Sequence, residues 1–219
     1  MKRTLFAAIM VLIVLTLAGC GDSSPPPAPA IVTQILSNPA FDGDILQDPL
    51  NGLFTVTQGN TQSVFAGINP ATGAESRAFL DFPLTGVGGV PLDAIISSAI
   101  LDIQINSILP QPLNGTIPIR IDLVSFQPPT LVASDFSRTD QPALATTTII
   151  PPISQADFGQ HISVDVTPLM VEAQRLGLVN FQVRIMEDLG VVSPGLIEIN
   201  DTTGANRAIL APQLQVTYF

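Results

Sequence analysis

The feature that most constrains the fold is an alternation of apolar and polar residues with a period of two, which begins at Ile31. Residues 117–123 read IPIRIDL and residues 179–185 read VNFQVRI, so each segment places its apolar side chains on one face. This pattern is typical of a β-strand with one buried face and one solvent-facing side. The segments that follow it are 31–36, 53–57, 64–68, 77–82, 101–105, 117–123, 162–166, 179–185, 196–199 and 214–218.

Strands of this kind belong to antiparallel sheets that pack face to face. Gly, Pro, Asn and Asp turns separate them here. The sequence therefore predicts an all-β fold, an antiparallel β-sandwich or jelly roll, formed by a single domain over residues 31–219. Pro118 interrupts one of the clearest strands, so we expect that strand to lie at a sheet edge or to contain a bulge.

One short helix is predicted after the segment 162–166. Thr167 can cap it, Pro168 occupies its first turn and Gly177 ends it. We expect the helix to cover one open end of the sandwich with the apolar face formed by Leu169, Ala173 and Leu176.

The N-terminus has the pattern of an export signal. Lys2 and Arg3 precede an apolar run over residues 5–17, which is short for a membrane span and suits a signal peptide. The run ends in Leu17-Ala18-Gly19-Cys20, which resembles the lipobox of bacterial prolipoproteins. The resemblance implies a lipoprotein signal peptide over residues 1–19 and lipid attachment at Cys20. The alternatives are an ordinary signal peptide with a stray cysteine, or a membrane anchor.

Residues 21–30 read GDSSPPPAPA and, with Cys20, form a predicted tether. Proline-rich chain favours an extended conformation, and at about 3.1 Å per residue this stretch would reach roughly 30 Å. We expect an extracytoplasmic domain held on a membrane by the lipid on Cys20. Gly21 follows Cys20 where inner-membrane lipoproteins often have aspartate, so the outer membrane is favoured.

Charge excludes one class of partner. The whole chain has a net charge of −10, and loss of Lys2 and Arg3 with the signal peptide would leave six arginines and no lysine against 18 acidic residues. Such an acidic surface is a poor partner for nucleic acid.

Seven segments resemble, in order, the DNRLRE-type domain, a carbohydrate-binding-module-like jelly roll of secreted and surface proteins. They are Asp42-Gly-Asp-Ile45, Val64-Phe-Ala-Gly67, Arg77-Ala-Phe-Leu-Asp-Phe-Pro-Leu84, Ile96-Ser-Ser-Ala-Ile-Leu101, Gln141-Pro142-Ala143, Val164-Asp-Val-Thr-Pro-Leu169 and Pro212-Gln-Leu-Gln-Val-Thr-Tyr218. The resemblance implies a jelly roll and a surface binding role. The chain has no tryptophan, and its one tyrosine, Tyr218, is expected in the closing strand, so a platform for stacking on sugar rings could only be phenylalanine.

Few residues are suited to catalysis or to metal binding. His161 is the only histidine; it could act as a base, and a turn residue at a strand edge is the simpler interpretation. Asp42, Asp44 and Asp48 could hold a structural calcium ion, although the rest of a calcium loop is missing and a polar turn explains them as well. We therefore predict no cofactor and no enzymatic activity. A polysaccharide lyase or hydrolase that uses paired carboxylates is the third class considered.

Arg77, Arg120 and Arg184 lie in predicted strands, on the face expected to point outward. They could form a strip of guanidinium groups that binds uronate or sulfate, and they are the predicted ligand-binding residues. The alternative is cross-strand ion pairing with Asp81, Asp102 or Asp122.

The sequence is compatible with two main functions. The first is a non-catalytic binding module, anchored in the membrane, for envelope or extracellular polysaccharide. The second is a structural or adhesive envelope protein that binds protein partners and has no sugar site.

The lipoprotein prediction can be tested at Cys20. We expect Cys20→Ala to remove the acyl chains, with a loss of about 0.8 kcal/mol of membrane partitioning energy per buried CH₂, and to leave the signal peptide uncleaved. Folding of the domain should not change, because no disulfide is lost. Detergent phase partitioning and intact mass are the measurements. A wild-type mature protein that stays in the aqueous phase with an unmodified N-terminus would contradict the assignment.

Overall fold

The computed structural model describes residues 29–110, 114–126, 130–188 and 194–219. The predicted signal peptide, Cys20 and most of the tether lie outside these residues. Within the described ranges, no helix is both long enough and apolar enough to cross a membrane.

The described residues form twelve strands, and all of the strand pairs are antiparallel. The predicted all-β fold is confirmed. The strands are β1 (Ile31–Leu36), β2 (Gly43–Gln47), β3 (Phe54–Gln58), β4 (Ser63–Ile68), β5 (Glu75–Pro83), β6 (Ile96–Pro110), β7 (Ile119–Val124), β8 (Ala145–Thr148), β9 (His161–Asp165), β10 (Asn180–Glu187), β11 (Gly195–Asn200) and β12 (Gln213–Tyr218).

The strands form one curled sheet in the order β1-β12-β6-β11-β4-β5-β10-β7-β8. β9 pairs with β6, and the β2–β3 hairpin pairs with β5 through β2. The long strand β6 pairs with β12 and β9 along its first part and with β11 along its second part. β6 therefore joins the two halves of the sandwich.

The main core lies inside the curl. It combines apolar side chains from both halves, among them Leu101 and Ile103 of β6, Leu80 of β5, Ile121 of β7 and Val183 of β10. These side chains are fully buried. Their positions follow the period-two alternation that predicted the strands.

The predicted helix is present as α1 (Thr167–Arg175), with Pro168 in its first turn and Gly177 in the left-handed conformation just after it. Its buried residues Leu169, Met170 and Ala173 join the main core, and the helix packs against β6, β8 and β10. Leu176 is exposed, so its predicted place on the packed face was wrong. A second helix, α2 (Arg207–Leu210), is one turn long.

The ten predicted strands are all observed, and β2 and β8 are the two that the pattern missed. The prediction for Pro118 was wrong. β7 begins directly after Pro118 and lies between β10 and β8, so it is not an edge strand. The carbonyl oxygen of Pro118 accepts a hydrogen bond from the backbone N–H of Asp188. Proline has no N–H to donate, and at the start of a strand no N–H is needed for the hydrogen bonds of the sheet.

Candidate functional site

The structure places the three predicted ligand-binding arginines in adjacent strands, with Arg77 in β5, Arg184 in β10 and Arg120 in β7. Their expected exposure to solvent was wrong for two of them: Arg184 is 0% exposed and Arg77 is 5% exposed. Arg120 is partly buried. A second layer of chain covers this face of the sheet. Ligand binding by the three arginines stays a prediction.

The covering layer is the segment 130–141, which we call the outer cover. It contains a short 3-10 helix, Ala133–Phe136. A second apolar cluster lies between the cover and the sheet; its members are Ile45, Phe79, Val124, Phe126, Leu131 and Phe136. Phe79 and Val124 occupy the side of the sheet that points away from the main core, so this side is also apolar.

Arg184 fastens the outer cover to the sheet. Its Nη2 donates to Asp122 Oδ2 at 2.8 Å. Its Nη1 donates to the carbonyl oxygens of Asp135 at 3.0 Å and of Gln141 at 3.1 Å. One guanidinium thus links β10 to β7 and to two points on the cover.

Arg77 has a similar role on the neighbouring strand. Its guanidinium carbon lies 3.9 Å from the ring centroid of Phe136, and Nη1 donates to the Phe136 carbonyl oxygen. Its Nε donates to Glu75 at 2.7 Å. The cover therefore occupies the faces of Arg77 and Arg184 that a uronate would need to reach.

Asp122 supplies the negative charge that pairs with Arg184 and Arg120. Burial alone would raise its pKa, but hydrogen bonds from Arg184 and Arg120 outweigh burial and hold the pKa of Asp122 below its ordinary value. Arg184 and Asp122 are directly opposite each other in the β10–β7 register. This is the cross-strand ion pair considered from the sequence.

The three aspartates considered for calcium do not form one ligand cluster: Asp44 and Asp48 line the same groove, whereas Asp42 is not among its lining residues. Asp48 organises a turn, in which its Oδ1 accepts the N–H of Leu50 at 2.8 Å. Asp44 accepts the backbone N–H of Phe65, whereas Asp42 accepts the N–H of Asp81 at 2.8 Å. Within the described residues, no group of three or more His, Cys, Asp or Glu side chains could hold a metal ion.

Asp42 instead forms a buried carboxyl pair with Asp201. Both residues are fully buried. Burial and the neighbouring Asp201 carboxylate raise the pKa of Asp42 well above its ordinary value. Burial likewise raises the pKa of Asp201 to about 6, although Arg207 lies 3.8 Å away and opposes the shift. The pair connects the start of β2 to the loop after β11.

His161 lies at the start of β9, as expected, and its Nδ1 is 2.5 Å from Asp102 Oδ1 on the exposed surface. Ser163 donates to the other oxygen of Asp102 at 3.1 Å. The carboxylate therefore lies between the ring and the hydroxyl. This arrangement is not that of a serine activated by a histidine base, in which the ring contacts the hydroxyl directly.

Among the described residues, a cavity suited to a ligand lies on the face of the sheet formed by β2, β5, β4 and β11. Ser76 of β5 pairs with Leu46 of β2 and with Gly67 of β4. Beside this point is a groove of about 540 Å³. Its lining residues are Asp44, Leu46, Asp48, Pro49, Leu50, Phe65, Asn69, Thr72, Ala74, Ser76 and Leu196. This volume is within the range of roughly 300–1,000 Å³ that is usual for small-molecule sites.

Two turns with internal hydrogen bonds form the rim of the groove. On one side Asp48 Oδ1 accepts from Leu50, and Asp48 Oδ2 accepts from the side chain of Asn51 at 2.9 Å. On the other side Asn69 Oδ1 accepts from Ala71 at 2.9 Å. Such bonds hold turns in one conformation. The groove is thus preformed, with rim groups fixed before a ligand arrives.

Asp44 is the buried carboxyl of the groove, and Ser76 is also buried there. Asp44 is 7% exposed, and burial raises its pKa to about 6 against the opposing effect of the Phe65 N–H. The Phe65 ring is half-buried and lines the same groove. An aromatic ring, aliphatic walls and a carboxyl are therefore combined in one concave site, which contains no lysine or arginine in its lining.

The sequence pattern does not identify this site: residues 64–67 indicate only the fold, and Asp44 is considered only as a calcium ligand. Alternation shows which side of β4 Phe65 occupies, but the placement of β2 and β4 on either side of β5 depends on long-range pairing. The architecture defines an antiparallel β-sandwich with a groove at one side. No protein-family model matches the chain, and no curated protein matches it either. The DNRLRE-type resemblance stays a prediction.

The raised pKa of Asp44 leads to a prediction about stability. A carboxyl whose pKa is raised in the folded state stabilises the fold while it is protonated, and that contribution is lost as pH rises through about 6. In Asp44→Asn this dependence is absent. We therefore expect the unfolding free energy of the wild type relative to Asp44→Asn to fall by roughly 2 kcal/mol between about pH 4.5 and pH 7.5.

Urea unfolding at the two pH values measures this difference. The matched control is Asp93→Asn, since Asp93 is exposed and lies outside the groove lining. A difference between wild type and Asp44→Asn that does not change with pH would contradict the assignment.

Proposed function

We propose that this chain is a membrane-anchored, extracytoplasmic, non-catalytic binding module for envelope or extracellular polysaccharide. The lipobox-like sequence at Cys20 and the proline-rich tether support the anchor, and Gly21 after Cys20 supports the outer-membrane location. The DNRLRE-type resemblance supports the ligand class. The groove across β2, β5 and β4 is the proposed ligand site.

The observation that supports sugar binding most directly is the pairing of Phe65 with Asp44 in one groove. A phenyl ring can stack on the apolar face of a pyranose, and a carboxylate accepts strong hydrogen bonds from sugar hydroxyls. The backbone N–H of Phe65 donates to Asp44, so the two groups are fixed relative to each other. Fixed groups lower the entropic cost of binding.

The charge of the groove lining narrows the choice of ligand. Asp44 and Asp48 are acidic, and none of the lining residues is basic. The whole chain is also acidic, with a net charge of −10. A neutral sugar avoids the like-charge repulsion that a uronate would meet in this groove. We therefore propose a neutral sugar as the ligand, in place of the anionic sugars that the arginines suggested.

The second candidate function is a structural or adhesive protein without a sugar site. The exposed edge strand β3, with Phe54 at 40% and Val56 at 39% exposure, is the observation that favours it. Both functions are compatible with one anchored domain, because β3 and the groove use different residues.

Calorimetry on the full chain in detergent tests the groove. The glycan panel contains neutral glucan and xylan oligosaccharides, and polyuronates with and without calcium. We expect a neutral oligosaccharide to bind, and Phe65→Ala to weaken it about tenfold or more, because the stacking surface is lost. The matched control is Phe158→Ala, since Phe158 is 58% exposed and lies outside the groove.

Two results would contradict the proposal. One is the absence of binding to every glycan by a folded protein. The other is glycan binding that Phe65→Ala leaves unchanged, which would place the site elsewhere. Far-ultraviolet circular dichroism of each variant shows whether it has kept the wild-type fold.

A further inference from the structure

Three loops meet at the buried carboxyl pair of Asp42 and Asp201. Asp42 directly precedes β2, and its carbonyl oxygen accepts the N–H of Gly59, just after β3, at 3.0 Å. Asp201 directly follows β11, and its Oδ2 accepts the Thr61 hydroxyl at 3.3 Å. Both ends of the β2–β3 hairpin are therefore attached to the loop after β11 at this point.

The polar atoms around this pair are not all hydrogen-bonded. Asp42 Oδ1 accepts the N–H of Asp81 at 2.8 Å, but Asp42 Oδ2, Asp201 Oδ1 and Ser37 Oγ have no hydrogen-bond partner among the described residues. Ser37 is 2% exposed, and both aspartates are 0% exposed. Buried polar atoms normally have a partner, so a group that these oxygens can bind belongs between them.

A proton supplies the missing donor. Two ionised carboxylates have only acceptor atoms and cannot hydrogen-bond to each other, whereas a protonated carboxyl has one O–H donor. Asp201 lies within hydrogen-bonding reach of Asp42. Because Asp42 Oδ1 already accepts a hydrogen bond, its Oδ2 is the atom that carries the proton and donates to Asp201.

The charges around the pair allow one ionised carboxyl and disfavour two. Besides the carboxyls themselves, the charged group that acts on the pair within the described residues is Arg207 of α2, whose Nη1 lies 3.8 Å from Asp201 Oδ1. The carboxyls of Asp44 and Asp81 are also buried, but they accept hydrogen bonds from other groups. One positive charge balances one carboxylate. Burial, and then the Asp201 carboxylate, raise the pKa of Asp42 well above its ordinary value.

We propose that Asp42 and Asp201 share one proton, that this proton fastens the β2–β3 hairpin to the loop after β11, and that this end of the sandwich loosens when the proton is lost at higher pH. Below the pKa of Asp201, about 6, both carboxyls are neutral. Above it the pair holds one proton. The stabilisation by this proton is lost as pH rises through the raised pKa of Asp42.

Hydrogen exchange of the full chain in detergent, followed by mass spectrometry, measures the attachment of the hairpin. After correction for the intrinsic exchange rate, we expect the protection of residues 42–58 in the wild type to fall about tenfold or more between about pH 7 and about pH 9.5, because one proton changes an opening equilibrium by up to tenfold per pH unit. This range lies above the pKa of Asp44, about 6, so that carboxyl adds little to the change.

Asp42→Asn separates the proton from other effects of pH. Its amide takes the place of the protonated carboxyl and donates to Asp201 at every pH, so we expect a change in protection of less than about twofold over the same range. The matched control is Asp93→Asn, since Asp93 is exposed, and it should behave as the wild type does. Equal losses of protection in the wild type and Asp42→Asn, or no loss in the wild type, would overturn the proposal.

Infrared difference spectroscopy detects the proton itself. At about pH 7 we expect a carboxylic-acid C=O band in the wild type and Asp93→Asn that is missing from Asp42→Asn. In the wild type this band should disappear over the same pH range as the protection, a comparison that does not depend on how Asp42→Asn folds. A wild type without this band would overturn the proposal. So would a gain in thermal stability on adding calcium that Asp42→Asn abolishes, because a cation would then occupy the place of the proton.

Discussion

The buried contact between Arg184 and Asp122 is the interaction on which the outer half of the structure depends. Both side chains are fully buried, and the guanidinium also donates to two carbonyl oxygens of the outer cover. An ionised group at such depth is costly unless it is paired and hydrogen-bonded. Both Nη groups of Arg184 have partners, whereas its Nε has none among the described residues. Removing the cover would expose the second apolar cluster and leave these donors without their carbonyl partners. The sheet is therefore buried on both faces at β5, β10 and β7, as in a three-layer arrangement.

The outer cover limits where a ligand can bind. It packs on the face of the sheet that carries the arginines, so their positive charges stabilise the fold. The groove lies across β2, β5 and β4, outside the residues of the outer cover, and its lining is acidic. The fold thus separates a structural cluster of arginines from a concave site with a phenyl ring and a carboxyl.

Local alternation was sufficient to predict the fold class and ten of the twelve described strands, because the period of two reports directly on burial. It missed β2, whose residues Gly43, Asp44 and Ile45 are all buried, and β8, which is a short run of Ala and Thr. It also misplaced Arg77 and Arg184, because the outer cover comes from residues about fifty positions away from each of them. Phe79 on the outward side of β5 was the available signal, since a solvent-facing position seldom holds phenylalanine. The groove could not be predicted, because its lining comes from several strands and turns that only long-range pairing brings together.

The most direct test compares the unfolding free energies of Arg184→Met and Arg175→Met. Arg175 forms an ion pair with Glu172 on the surface of α1 and has a side chain that is 65% exposed. Exposed pairs contribute about 1 kcal/mol or less, whereas removing one partner of a buried pair costs roughly 3–5 kcal/mol. The account predicts a loss of roughly 3 kcal/mol or more for Arg184→Met, with faster hydrogen exchange in the outer cover, and a small loss for Arg175→Met. Equal, small losses and an unchanged cover would contradict the claim that Arg184 holds the outer layer on the sheet.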